Sequence, residues 1–147
     1  MNREELLCRY GEVSRVLQLG QPVLVSGAAM VIHQLRPTCS DIDLAVSRRD
    51  FTRLAERYPV QPSVMHPRGR IHIPELELDV GPMKTPWHFN PFASPVQAGR
   101  LTMPVLYLSL RGLEAMKAEM VVLMNRQEDR RDLMLIRQAM AKDGRFR

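Results

Sequence analysis

Apolar and polar positions along the chain repeat with two different periods, and the changes of period predict the order of its elements. Helical spacing of apolar residues over 2–19 predicts an amphipathic helix that ends at Gly20 and Pro22. An apolar run follows and is interrupted at Ser26-Gly27. After it come a segment of small and apolar residues, a polar turn and a second apolar run. This order predicts strand, turn, helix, loop and strand. The expected ranges are 23–25 for the first strand, 28–35 for the helix and 41–46 for the second strand.

The second strand carries two carboxylates on one face. Side chains alternate along a strand, so Asp41 and Asp43 point to one side, about 7 Å apart, while Ile42 and Leu44 point to the other. Two acids on one face cannot lie in a dry core without a counter-charge. A divalent cation is the simplest partner.

The rest of the chain continues the alternation of helices and strands. Ser47 is a predicted N-cap of a helix that ends before Pro59. Alternation over 75–80 predicts a strand with Asp79 near its end, and Asp79 would supply a third carboxylate. Shorter strands are expected at 64–65, 71–73 and 105–108, a loop over 81–106 anchored by Trp87, Phe89 and Phe92, and helices over 110–124, after a Ser109 N-cap, and 128–142.

Composition narrows the class of protein. A chain of 147 residues with 45% hydrophobic and 25% charged residues is typical of one globular domain, here spanning 1–147. No apolar run is long enough for a membrane helix, and the acidic N-terminus is unlike a signal peptide, so a cytoplasmic protein without a membrane partner is expected. Cys8 and Cys39 have no metal-type spacing and are predicted to be free thiols.

The net charge of +5, with arginine outnumbering lysine 18 to 3, favours anionic partners such as phosphates or RNA. A habit of the source genome explains the arginine excess equally well. Aromatic content of 5% argues against a base-stacking surface. The sequence contains neither G-x-x-x-x-G-K-[ST] nor G-x-G-x-x-G, so the common nucleotide-binding loops are not indicated.

Two segments resemble the DNA polymerase β-like nucleotidyltransferase superfamily. SGAAMVIHQLRPTCSDIDLAV resembles its signature, in which a Gly-Ser or Gly-Gly pair opens a helix and Asp-x-Asp lies on the next strand. VLYLSLRGLEAMKAEMVVLMNRQEDRRDLMLI is similar to the small bacterial branch, which includes abortive-infection-type toxins and antibiotic nucleotidyltransferases. The resemblance implies an α/β (α+β) nucleotidyltransferase fold, with a short mixed β-sheet, flanking helices and two C-terminal helices.

The resemblance also implies a metal site and a reaction. Asp41 and Asp43 would hold two Mg²⁺ ions, and Asp79 would complete the catalytic metal site and help to deprotonate the attacking hydroxyl. The reaction would be transfer of a nucleotidyl group from an NTP, such as ATP, to an acceptor hydroxyl, with release of pyrophosphate. The basic balance and the resemblance to toxins, such as those of toxin–antitoxin systems, favour RNA, such as a tRNA end, or a protein as the acceptor.

The nucleotide contacts follow from the same resemblance. Ser26 and Gly27 would contact the phosphates through hydroxyl and backbone, and Lys117 would meet them with its ammonium. Asp129 and Asp132 match the terminal motif, where helix capping or arginine pairing is as good an explanation as contact with substrate. The serine stands first in the Ser26-Gly27 pair, which departs from the family pattern.

Two alternatives stay open. An antibiotic nucleotidyltransferase of the aminoglycoside or lincosamide type would need an acidic acceptor pocket, for which Glu75, Glu77 and Glu114 are candidates. A catalytically silent member of the same fold would act as a nucleotide-binding or regulatory module.

Overall fold

The computed structural model describes residues 1–84 and 104–143. Within these ranges the chain is mixed α/β, with five α-helices, one short 3-10 helix and one six-stranded mixed sheet. The elements are α1 (Arg3–Val16), β1 (Val23–Leu24), α2 (Ser26–Ile32), β2 (Ile42–Val46), α3 (Arg48–Ala55), β3 (Val60–Gln61), β4 (Arg70–Ile73), the 3-10 helix (Pro74–Leu76), β5 (Leu78–Pro82), β6 (Leu106–Tyr107), α4 (Leu110–Met124) and α5 (Gln127–Lys142).

The sheet places β2 and β5 at its centre. The strand order is β3-β4-β5-β2-β1-β6, with β2 parallel to β5 and antiparallel to β1. In this register Asp43 lies directly opposite Asp79, and Asp79 lies opposite His72 on β4. Residues that lie opposite each other share a face of the sheet. The register therefore aligns three polar side chains across three neighbouring strands.

The two faces of β2 pack against two different apolar clusters. Ile42, Leu44 and Val46 belong to a large apolar cluster that also contains Leu6, Leu7, Tyr10 and Val13 of α1. Ala45 belongs to a second cluster, which it shares with Met116 and Met120 of α4 and with Ile136 of α5. Asp43 lies on the same face as Ala45 because side chains alternate. The alternation predicted for this strand is confirmed, and its acidic face is turned toward α4.

Capping residues fix several helix boundaries. Ser47 accepts a hydrogen bond from the Asp50 amide (3.1 Å), and Ser109 accepts one from the Gly112 amide (3.0 Å), so both predicted N-caps are confirmed. Helix α4 has the predicted bounds, 110–124. Helix α2 begins at Ser26 rather than at residue 28 and is already past its end at Gln34, whose φ of 61° is left-handed.

The predicted strand over 75–80 is wrong in its first half. Pro74 is the first residue of the 3-10 helix, where its fixed φ fits, and Glu77 follows in a left-handed conformation (φ 49°). This turn redirects the chain, and β5 starts only at Leu78, where pairing with β2 and β4 begins. The two-residue alternation of acids and leucines therefore spans two different elements.

Other expectations have mixed outcomes. The strand predicted at 64–65 is wrong, because β4 pairs instead with β3 at 60–61. The first two residues of the predicted loop over 81–106 belong to β5 instead. The proposed anchors of that loop, Trp87, Phe89 and Phe92, lie outside the described residues. Cys8 and Cys39 are free, as predicted. No helix in the described ranges has the length and apolar character needed to span a bilayer.

Candidate functional site

One cavity of about 570 Å³ collects every residue predicted to belong to the site. It opens above the acidic face of the sheet, with α4 and the start of α5 as the opposite wall. Its volume lies in the range usual for small-molecule sites. The predicted residues in its wall are Ser26, Gly27, Asp41, Asp43, Asp79 and Lys117. Residues separated by up to 91 positions in the sequence are thus brought to one place.

The carboxylates are held close together by the backbone. Asp43 and Asp79 are opposite each other on parallel strands, and Asp41 immediately precedes β2. Burial raises the pKa of Asp43 to about 7, and the negative charges of Asp79 and Asp41 add to that rise. The positive charges of Lys117 and Arg70 oppose it without cancelling it. Asp43 is therefore protonated more readily than a solvated carboxyl, because its ionisation would leave a buried charge beside two other carboxylates.

Asp79 is oriented from the β4 side. Its Oδ1 lies 3.1 Å from Nδ1 of His72 and 3.5 Å from a guanidinium nitrogen of Arg70. A carboxylate only accepts, so Nδ1 of His72 carries the proton of this hydrogen bond. Sequence reasoning missed both partners. The alternation Arg70-Ile71-His72-Ile73 was the available signal, because it places the two polar side chains on one face of β4.

The fit to a metal ion depends on which ion is considered. Within residues 1–84 and 104–143, no three His, Cys, Asp or Glu side chains converge closely enough to hold a metal by themselves. Mg²⁺, however, is usually bound by one or two carboxylates together with substrate phosphates and water. The adjacent Asp43 and Asp79 provide hard oxygen donors of that kind. The arrangement fits Mg²⁺ bound with a phosphate ligand and does not fit a closed protein cage.

Ser26 and Gly27 begin the first turn of α2, called the Ser26-Gly27 turn below, and the backbone at Ser26 is left-handed. Ser26 is nearly buried and has a φ of 51°, in the left-handed region that costs a non-glycine residue about 1 kcal/mol or more. A side chain on Gly27 would place its Cβ 3.3 Å from Nη1 of Arg36. Strain of this kind is often retained where function requires the geometry. The strained position at Ser26 thus lies in the cavity wall.

Lys117 is in the wall but is already paired. Its side chain is 3% exposed, and its ammonium lies 3.1 Å from Asp129 and 2.9 Å from Asp132, both on α5. Burial raises the pKa of Asp129, but hydrogen bonds from Arg126 and Lys117 outweigh burial and hold that pKa below its usual range. Asp129 and Asp132 therefore join α4 to α5 through one buried lysine. We call Lys117, Asp129 and Asp132 the buried ion cluster.

The acids considered for an antibiotic-type acceptor pocket lie elsewhere. None of the three lines the cavity, and two are paired with arginines: Glu77 with Arg9 (3.7 Å) and Glu114 with Arg137 (3.3 Å). In comparisons with known proteins, no protein-family model, no curated protein and no solved structure matches the chain. The interpretation of the cavity therefore depends on its own geometry and charge.

Proposed function

We propose that the protein is a Mg²⁺-dependent nucleotidyltransferase that transfers an NMP group from an NTP to an acceptor hydroxyl. One observation carries the proposal: a single cavity contains the Ser26-Gly27 turn, the carboxylates of Asp41, Asp43 and Asp79 on and beside the central strands, and four lysine or arginine side chains. A nucleotidyltransferase needs these parts together, because it must bind a polyphosphate, a divalent cation and an attacking hydroxyl in one place.

The fold supports the same proposal. Parallel pairing of β2 and β5 places Asp43 against Asp79, as a nucleotidyltransferase fold requires of its second and third acids. The resemblance of SGAAMVIHQLRPTCSDIDLAV to the family signature covers α2 and β2, which form the floor of the cavity. We therefore assign the mixed α/β chain to a nucleotidyltransferase fold as part of the proposal.

The roles of the residues follow from their positions. Asp41 and Asp43 would bind Mg²⁺ together with Asp79, and the bound ions would neutralise charge on the phosphates and on the attacking and leaving oxygens. Asp79 is held by His72 on β4 and would accept the proton of the acceptor hydroxyl. That oxygen bonds to the α-phosphorus while the bond from the α-phosphorus to the pyrophosphate oxygen breaks. Ser26 would hold the phosphates from the floor of the cavity.

The test is a transfer assay with each labelled NTP and Mg²⁺, in which separate RNA, protein and small-molecule fractions serve as acceptors. Wild-type protein is expected to label one fraction, with RNA or protein as the expected acceptor. Asp43→Asn should abolish transfer, because it removes a charged ligand without a change of volume. Asp50→Asn is the matched control, since Asp50 lies on α3 outside the cavity.

Three results would count against this function or its metal assignment. Absence of label from every fraction, together with no binding of any Mg²⁺–NTP in calorimetry, would refute it. Label transfer by Asp43→Asn at the wild-type rate would refute the metal assignment. Binding of Mg²⁺–NTP without transfer would favour the catalytically silent module.

A further inference from the structure

Four lysine or arginine side chains line the cavity, and they differ in how closely they are paired with carboxylates of the protein. Lys117 is buried against two carboxylates, and Arg70 is paired with Asp79. Arg126 uses all three guanidinium nitrogens, on Asp129 and Glu128. The fourth cation, Arg36, is different. Among residues 1–84 and 104–143 its guanidinium has one ion pair, 3.6 Å from Asp132, which is too long for a hydrogen bond.

The N–H donors of the Arg36 guanidinium lie beside the floor of the cavity. Its Nη1 would lie 3.3 Å from a Cβ on Gly27, so the guanidinium lies against the Ser26-Gly27 turn. Its side chain is 38% exposed, which leaves it open to a ligand in the cavity. Gly27 is thus the residue whose missing side chain makes room for the guanidinium.

The buried ion cluster explains how Arg36 is held there. Lys117 lies 2.9 Å from the carboxylate of Asp132, and that same carboxylate, 7% exposed, faces Arg36 at 3.6 Å. The lysine fixes the aspartate, and the aspartate attracts the arginine. A half-exposed arginine tethered to a buried carboxylate keeps its place while most of its donors stay available.

We propose that Arg36 is the phosphate-binding residue of the cavity, with Lys117 as a positioning residue that acts through Asp132. The inference rests on the proposed function, because it names the phosphate contact of the same site. The ligand chemistry is a di- or triphosphate, whose oxygens match the planar fork of a guanidinium in pairs. A lysine enclosed by two carboxylates has no comparable set of free donors.

The experiment measures binding of inorganic tripolyphosphate in the presence of Mg²⁺ by calorimetry, with the full chain. Arg36→Gln is expected to weaken binding by at least about tenfold, the loss of one charge-assisted contact. Its melting temperature should change little, because the ion pair that it removes is long and partly exposed. Arg36→Lys should recover part of the affinity, since it keeps the charge and loses the fork.

Two further variants separate binding from folding. Gly27→Ala should also weaken binding, because its Cβ displaces the guanidinium without any change of charge. Arg53→Gln is the matched control, because Arg53 is 36% exposed and ion-paired but lies outside the cavity. It should bind tripolyphosphate as the wild type does.

The outcomes distinguish this inference from the function on which it rests. Wild-type affinity in Arg36→Gln, or no binding of tripolyphosphate by the wild-type chain, would overturn the assignment of Arg36. A loss in Arg36→Gln that is matched by a large fall in melting temperature and not recovered by Arg36→Lys would also overturn it. Binding that depends on Arg36 in a protein that transfers no nucleotide would support the phosphate site and refute the transferase.

Discussion

Replacement of Lys117 by methionine tests the buried ion cluster most directly. The ammonium is 3% exposed, so the substitution leaves two buried carboxylates without their shared cation. Removal of one partner of a buried ion pair typically costs about 3–5 kcal/mol. Asp129 keeps Arg126 at 2.8 Å, whereas Asp132 keeps only Arg36 at 3.6 Å. We therefore expect Lys117→Met to lower the free energy of unfolding by about 3 kcal/mol, the lower end of that range.

The assay is urea denaturation followed by far-UV circular dichroism at pH 7. The double variant Lys117→Met, Asp132→Asn should be more stable than Lys117→Met by at least about 1 kcal/mol, because it removes the stranded carboxylate. Arg137→Gln is the control, since it breaks an exposed pair with Glu114 and should cost less than about 1 kcal/mol. A loss below about 1 kcal/mol for Lys117→Met, or a double variant less stable than the single one, would refute the reasoning.

Three more predictions concern residues in or beside the cavity. The folded-state pKa of Asp43 is raised, so without metal Asp43 binds its proton more tightly in the folded than in the unfolded chain, and its contribution to stability falls as the pH rises from 3.8 to about 7, with a ceiling of about 4 kcal/mol. Urea denaturation in EDTA at pH 5 and pH 8 should show that the wild type loses stability relative to Asp43→Asn between the two pH values; equal changes in the two proteins would contradict it. Gly81→Ala should cost about 1–3 kcal/mol, measured in the same way, because its Cβ would lie 2.7 Å from Nε2 of His66; unchanged stability would show that the ring moves freely. Ser26→Gly should melt at a higher temperature than Ser26→Ala, since only glycine relieves the left-handed backbone, and the reverse order would show that φ is not strained there.

Local patterns predicted β2 and α4 well because each signal is contained within its own segment. The alternation from Ile42 to Val46 and the Ser109 cap specify their elements without knowledge of the rest of the chain. The segment 75–80 had an equally clean alternation, yet its first half is a 3-10 helix and a left-handed turn. Alternation shows which residues can share a face, but pairing with a neighbouring strand decides where a strand begins.

The site required information that is not local. The sequence placed Asp43 and Asp79 on strands, but only the order and parallel pairing of β2 and β5 make them neighbours. Lys117 was expected to face phosphates, and its pairing with α5 could not be predicted from spacing alone. Arg130 and Arg131 lie beside the same aspartates in the sequence and were equally plausible partners. Packing of α4 against α5 decided which cation lies within reach.

Three features that cost the fold stability meet in this one cavity. Asp43 and Asp79 place like charges opposite each other on neighbouring strands, a pairing that is unfavourable in any sheet. Ser26 holds a backbone angle suited to glycine, and burial of Lys117 with Asp129 and Asp132 removes three charges from water. Such local conflicts are expected at functional sites, and here all three lie in one cavity or its wall. Asp43→Asn and Ser26→Gly should therefore leave the metal-free fold as stable or more stable while they reduce transfer, a combination that a purely structural role for these residues would not produce.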